Sequence, residues 1–538
     1  MPSESSPTDQ GRPAFRIESA LLLAVALLWC IYWFVHAWHY WEDDAYIHLE
    51  FARSVASGQG FAFNGRVVAG DTAPLWVFLL AGMHALIPDW LVAGKVLTIL
   101  GAVLGLSGAY AYARSLAASL IPRSPSAAIF PAAMVLLIAA NPYSCYWMFS
   151  GMEPIAAAGL AFWAVLAATR DLPSTKTFLA ACGLAGIAPL MRPEMIFLTA
   201  LLIWPLIGQW YKLRGGRTSS GKLGAFAAGL ALIASPLTLW SLYSLHAFGH
   251  VLPNTNAAKR AGPADSVVRH LVVIYSFALP VIVCGLLAGI AYLILRPTAV
   301  RHSIQNAFAS AFGAAHPIAA SQISSTLSLA GWIFILWPSI ATIFYIADHT
   351  YVQTRYVLVT APGLTIVLIT IALLASQRIG RVVYVAALVA AIAVSVITVR
   401  PFIRNKGINC DVTKDLAIFI HDHIPSDAPV ALYGIGEIAF LSQHPIVDTG
   451  GITRPGAIPY LNEPPQFMVR WARSEGAQFM ISNKPEPGAI LVFSADQRFA
   501  TWTFRTALYE TSIPIQLWQL APPSVPLSQT DITMPNHP

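Results

Sequence analysis

Three carboxylates stand side by side in "HYWEDDAYIHLEF", namely Glu42, Asp43 and Asp44, directly behind an apolar run. Acids are costly to keep at a lipid boundary, and a carboxylate held there can take the proton from an incoming hydroxyl. Other polar residues that apolar patterning leaves unexplained come in short clusters. Asn141 and Glu153 lie in "NPYSCYWMFSGMEP", and Arg192 and Glu194 in "LMRPEMIF". "HVLPNTNAAKR" supplies Asn254, Asn256, Lys259 and Arg260, and "ADHTYVQTRY" supplies Asp348, His349, Arg355 and Tyr356. Arginine and lysine can hold a departing phosphate, arginine through paired hydrogen bonds. Together the set suits a reaction that joins an anionic, lipid-borne group to a hydroxyl.

Each cluster also has a plainer reading. Asp43 and Asp44 can be solvated loop acids, and Arg192 with Glu194 an internal ion pair at a helix break. Lys259 and Arg260 can snorkel to the interface. His84, His246 and His250 read as interfacial residues, because nothing near them completes a ligand set. No metal and no cofactor are therefore expected. "YGIGEIAF" lacks the third glycine of a dinucleotide loop, and no phosphate-cradling loop or kinase motif points to ATP. The donor is better sought in the membrane.

The elements that must position these residues are long apolar runs. Of 538 residues, 56% are hydrophobic and only 11% charged, with a mean hydropathy of +0.61. Soluble domains carry about 25% charged residues, so most of this chain belongs in lipid. Spans of about 20 residues are expected at 20–38, 91–112, 127–143, 151–168, 177–191, 194–210, 223–247, 271–295, 323–346, 356–375 and 382–399. With residues 1–19 in the cytoplasm, every loop assigned to that side is basic. The net charge of +6 thus reflects topology, and its scattered cations speak against nucleic acid. The first run has no small-residue cleavage site and is expected to be retained. Five cysteines without a CxxC pair read as inert thiols.

Residues 72–87, "TAPLWVFLLAGMHALI", are short for a span and carry His84. Together with Ala45–Ala56 they are expected to form helices in or against the outer membrane surface. The outer loop 40–90 then holds the Asp-Asp motif. Over residues 401–522 the pattern changes to short strand-like runs, "PVALYGIG", "FMISNK" and "AILVFSA". A helix over Asp411–Ile424, capped by Asp411 or Thr413, is expected among them. The fold class is a polytopic α-helical membrane module over residues 20–400, with about eleven transmembrane helices and outer-face juxtamembrane helices. A small C-terminal α/β extracytoplasmic domain follows, and residues 523–538 are expected to be disordered.

The motifs also resemble a known family. "EDDAYIHLEFARSVASGQGFAFN" followed by "GDTAPLW" is similar to the first outer loop of GT-C glycosyltransferases that use polyprenyl-phosphate sugars. The nearest resemblance is to bacterial relatives of the terminal arabinofuranosyltransferases of mycobacterial cell walls. More distant are the aminoarabinose transferases of lipid A and the protein O-mannosyltransferases. "SGMEP", "RPE", "LPNTNAAK", "TRY", "YGIGEIAF" and "IVDTGGIT" follow in the family's order, over roughly residues 20 to 455.

The resemblance implies an inverting displacement on the outer face of the cytoplasmic (inner) membrane. A polyprenyl-phosphate sugar, arabinofuranose, mannose or another, would be the donor; the acceptor would be a hydroxyl of an envelope glycan, glycolipid or protein. It places the general base on Asp43, with Asp44 beside it orienting the acceptor or sharing the task. Arg192, Lys259 and Arg355 are then candidates for the donor phosphate. Glu153, Glu194, Asn254, His349 and Tyr356 are candidates for sugar or acceptor contacts. Asp71 and Ala73 in "GDTAPLW" depart from the family pattern. Two other classes compete: a transporter of a lipid-linked sugar, and a non-catalytic envelope-assembly protein. Against the first, no internal repeat is visible and the charges gather at one face.

Overall fold

A computed structural model describes residues 12–120, 126–170, 174–214, 219–261, 328–375, 403–484, 488–503 and 506–520. In chain order its membrane-module helices begin with α1 (Arg12–His36), α2 (Asp43–Ala56), α3 (Pro74–Leu86), α4 (Trp90–Leu120) and α5 (Ser126–Ala140). Next come α6 (Pro142–Met148), α7 (Pro154–Ala168), α8 (Thr175–Met191) and α9 (Met195–Arg214). The last are α10 (Ser219–Phe248), α11 (Asn254–Ala261), α12 (Leu329–Ala347) and α13 (Thr354–Ala375).

Nine of the expected spans fall on α1, α4, α5, α7, α8, α9, α10, α12 and α13. The expected spans 271–295 and 382–399, and the tail 523–538, lie outside the described residues. Among the described helices, segments of α1, α4, α9, α10 and α12 are long and apolar enough to cross a membrane. The shorter α7 is apolar on nearly every side and buried along most of its length, which marks it as a central helix. It packs against α4 through small residues: a Cβ on Gly159 would sit 2.6 Å from the backbone nitrogen of Gly105. Glycine at both positions lets the two backbones touch, the usual basis of close helix pairing in lipid.

The segment expected at the membrane surface divides into two different helices. α3 is half-buried, with Trp76, Val77 and Leu80 inward and Phe78, Leu79 and Leu86 outward. α2 is instead covered by protein: Ala45 to Ala52 are all buried, between the bundle and the C-terminal domain. Lipid is therefore not what its apolar side meets.

The C-terminal domain holds a five-stranded mixed sheet in the order β4-β3-β5-β7-β6; β1 (Ala62–Phe63) and β2 (Arg66–Val67) form a separate small hairpin. Its strands are β3 (Val430–Leu432), β4 (Ile446–Asp448), β5 (Phe479–Ser482), β6 (Ile490–Thr503) and β7 (Thr506–Gln519). β3 runs parallel to both β4 and β5, and β7 is antiparallel to β5 and β6. The three strand-like runs in the sequence became β3, β5 and β6. The helix expected over Asp411–Ile424 spans 403–423, so neither Asp411 nor Thr413 caps it. Thr413 bonds back to the Asn409 carbonyl at 2.9 Å, as a mid-helix threonine does.

Candidate active site

Glu42 is the N-cap of α2, and Asp43 and Asp44 form its first turn. The loop that delivers them is pinned from below by Lys95 of α4, a fully buried cation. Its ammonium donates to the carbonyls of Ala37 (3.3 Å), Tyr40 (2.5 Å) and Phe149 (2.7 Å) and lies 4.5 Å from the centre of the Trp41 ring. Glu42 accepts from the hydroxyls of Tyr40 (2.9 Å) and Tyr146 (2.5 Å), with Lys406 at 3.7 Å. Lys95 is not among the candidates above, although a lone cation inside an apolar run is itself a signal.

Successive residues of a helix point about 100° apart, so adjacent acids face different neighbours. Asp44 turns into the bundle and pairs with Arg355 from the start of α13. Around them stands Tyr356, whose ring lies 4.8 Å from the Lys259 ammonium and 4.9 and 5.4 Å from the guanidinium carbons of Arg192 and Arg355. Lys259 also donates to the Tyr356 hydroxyl. Lys259 is thus an inward residue rather than a snorkelling one, whereas its neighbour Arg260 is half-exposed and pairs with Asp348.

Arg192 is placed by a break in the chain. Pro193 disfavours helical geometry at the residue before it, and Arg192 is extended (φ −157°, ψ 138°) at the end of α8. Its Nε donates to Glu194 at 2.6 Å, and another guanidinium nitrogen pairs with Glu153. The other Glu153 oxygen is 3.3 Å from His48 Nε2, and His48 Nδ1 is 2.5 Å from Asp71. Asp71 is fixed in turn by the Ala73 amide at 2.6 Å. Burial alone would lower the His48 pKa, but Asp71 and Glu153 push it up to about 10, so it is a cation at neutral pH. Burial opposes ionisation of Asp44 too, yet Arg355, Lys259 and His48 hold it below the ordinary carboxylate value.

His48 sits one helical turn beyond Asp44, on the same face. His48 is not among the candidates above; its spacing from the Asp-Asp motif is the signal that marks it. The buried network brings together Asp44, Glu153, Arg192, Glu194, Lys259, Arg355 and Tyr356, seven of the ten candidate residues.

Three candidates fall elsewhere. Asp43 is turned toward the C-terminal domain, where its carboxylate accepts from the amides of Gly436 (3.1 Å) and Glu437 (2.9 Å). Those amides begin the helix Gly436–Ser442, inside "YGIGEIAF". Burial, with a smaller push from Asp44 and Glu42, raises the Asp43 pKa to about 6 despite these two donors. Asn254 fastens α11 to Ala69 through its backbone amide at 2.8 Å, while Thr255 and Asn256 beside it line the cavity. His349 is exposed in a left-handed turn (φ 53°) after α12, where the chain reverses toward α13.

Two adjoining hollows share the cluster. A polar one of about 30 Å³ is lined by Asp44, His48, Asp71, Lys259 and Arg355. A larger cavity of about 470 Å³ has Arg192, Lys259 and Tyr356 at one part of its lining and Phe61, Leu237, Trp240, Phe248 and Phe344 elsewhere. Asp71, Thr72, Arg192, Thr255, Lys259 and Tyr356 border both. An apolar chamber edged by convergent cations can receive an amphipathic anion.

The same arrangement of helices occurs in solved structures. ArnT from Cupriavidus metallidurans, in the crystal structure bound to undecaprenyl phosphate, matches over 92% of this chain and 97% of its own, at 13% identity and a TM-score of 0.51. Its apo structure matches over the same shares, also at 13% identity, with a TM-score of 0.53. The chain has the GT-C fold. At this identity the likeness is one of fold, and within the GT-C frame the side chains above are this chain's own. Residues 403–527 match a family model described as a domain of unknown function (DUF8728). Among curated proteins, none matches the chain in sequence.

Proposed function

We propose that this GT-C protein transfers a sugar from a polyprenyl-phosphate donor to a hydroxyl acceptor, with inversion, on the outer face of the cytoplasmic membrane. The observation that carries the reading is the convergence of Asp44, Arg192, Lys259 and Arg355 where the polar hollow meets the 470 Å³ cavity. The ArnT structure bound to undecaprenyl phosphate supports a lipid-linked donor. The apolar chamber would take the first part of the polyprenyl chain, and the cations its phosphate. The C-terminal domain would then lie outside, over the site.

The step balances without a cofactor. The acceptor oxygen attacks the anomeric carbon, and the carbon–oxygen bond to phosphate breaks with its electron pair going to the phosphate. The leaving phosphate gains negative charge, which is where fixed cations stabilise the transition state most. The acceptor proton passes to a carboxylate. Geometry favours Asp44 for this task, because it faces the cations and lines the hollow while Asp43 does not. Before donor binds, Asp44 is tied to Arg355; an arriving phosphate competes for that guanidinium and leaves Asp44 the stronger base.

The experiment is incubation of the purified protein with a panel of polyprenyl-phosphate sugars and hydroxyl acceptors, scoring release of free lipid phosphate. Release that requires Arg355 and Lys259 is expected for at least one sugar. Transport of the intact donor across a bilayer without release would favour the flippase reading instead.

A further inference from the structure

The motif "YGIGEIAF" has a second role open to it beyond holding Asp43. β3 and β4 are parallel neighbours, and their carboxyl ends emerge together as Tyr433-Gly434 and Thr449-Gly450. The crevice outside the carboxyl ends of parallel strands is the usual ligand-binding edge of an open α/β sheet. Here that edge faces α2: a Cβ on Gly434 would lie 3.6 Å from the Asp43 carboxylate.

The loop after β4 is built rigidly. Asp448, fully buried, accepts from the amides of Gly450 (2.7 Å) and Thr453 (2.6 Å) and from the Thr453 hydroxyl (3.1 Å). That fixes Ile452 as part of the wall of the Asp44 hollow. Beside this wall stands Tyr433. The residue is 74% exposed, just past the end of β3, and one ring edge packs on the place a Gly450 side chain would occupy, 3.6 Å away. Partial burial and the nearby Asp448, with weaker pushes from Asp44 and Tyr351, raise its phenol pKa. Tyr351 comes from the α12–α13 connection and is itself half-exposed. An exposed aromatic thus stands at the sheet edge where the next residue, Gly434, meets the Asp43 carboxylate and where Gly450 leads on to the Ile452 wall of the Asp44 hollow.

A sugar ring offers one flat C–H face to an aromatic and hydroxyls at its edge to a carboxylate. We infer that Tyr433 is the platform on which the acceptor's sugar ring stacks, so that the acceptor is a saccharide. This rests on the transferase reading above, and deepens it by naming the acceptor class.

The test uses the full-length protein in lipid nanodiscs as wild type, Tyr433→Ala and Tyr433→Trp. Saturation-transfer NMR is recorded against short neutral oligosaccharides, arabinan, mannan, galactan and glucan fragments, and a serine-containing peptide. Binding of undecaprenyl phosphate is measured in parallel. At least one oligosaccharide is expected to bind wild type and Tyr433→Trp, and to bind Tyr433→Ala about tenfold more weakly, the scale of one aromatic contact. Undecaprenyl phosphate binding should be equal in all three. The inference is overturned if no oligosaccharide shows a Tyr433-dependent signal, or if only the peptide does. Failure of wild type to bind undecaprenyl phosphate would instead count against the donor reading, whatever the saccharides do.

Discussion

The two faces of α2 use neighbouring acids in opposite ways. Toward the bundle, Asp44 meets Arg355 and looks into a hollow where Lys259, Arg192 and His48 gather. Toward the C-terminal domain, Asp43 accepts from the main-chain amides of Gly436 and Glu437, and the face continues with Arg53 against the Phe440 carbonyl and ring. One face is a charge cluster with space beside it, and the other is a packed seam. Helix geometry alone thus gives the two acids of an Asp-Asp motif different partners: one faces cations across a hollow, the other holds the amides of the C-terminal domain.

The largest effects are expected on the cluster face. Arg355→Met or Lys259→Met should lower lipid-phosphate release about 100- to 1,000-fold, the usual loss when one donor to a developing anion is removed. Loss of only a few-fold in both would show that the cluster is structural. On the seam, Asn64 donates to the His444 carbonyl (2.7 Å) and accepts from the Ile446 amide (2.8 Å). Asn64→Gly tolerates the left-handed φ of 52° there while removing both bonds. It should destabilise the domain contact by about 1–3 kcal/mol, read as a lower melting temperature, with far less effect on release than the cluster variants. If it abolishes release, the two faces are not separable.

The smallest effect expected is one of pH. Asp43 holds its proton more tightly in the folded state, at about 6 against an ordinary 3.8. Its contribution to stability is therefore full below 3.8 and is lost as pH rises through about 6. Asp44, held low, works the other way: its contribution is present above 3.8 and is lost as pH falls through its folded value. Thermal melts should show wild type losing stability relative to Asp43→Asn over that upward window. A difference that grows in the opposite direction would mean the amides, not burial, set the Asp43 charge.

Much of this was legible in the sequence because lipid imposes a coarse rule. Runs such as those of α4, α10 and α12 are apolar for length, whatever their neighbours, so nine of the described helices could be placed without knowing their contacts. Arg192, Glu194 and Arg355 stood out for the converse reason, as charges with no place in hydrocarbon. What stayed hidden depended on distant partners. Nothing near Asp43 announces that Gly436, 393 residues on, will supply an amide. Lys95 was hidden by its own apolar surroundings, because its partners are three backbone carbonyls rather than acids.

The most direct measurement compares Asp43→Asn and Asp44→Asn side by side in single-turnover release of lipid phosphate, on a polyprenyl-phosphate sugar that wild type consumes. The account predicts a fall of about 100- to 10,000-fold for Asp44→Asn, the range for a lost general base, and at most about tenfold for Asp43→Asn. A silent Asp43→Asn beside an active Asp44→Asn would contradict it and return the proton transfer to the acid that the structure turns toward the C-terminal domain.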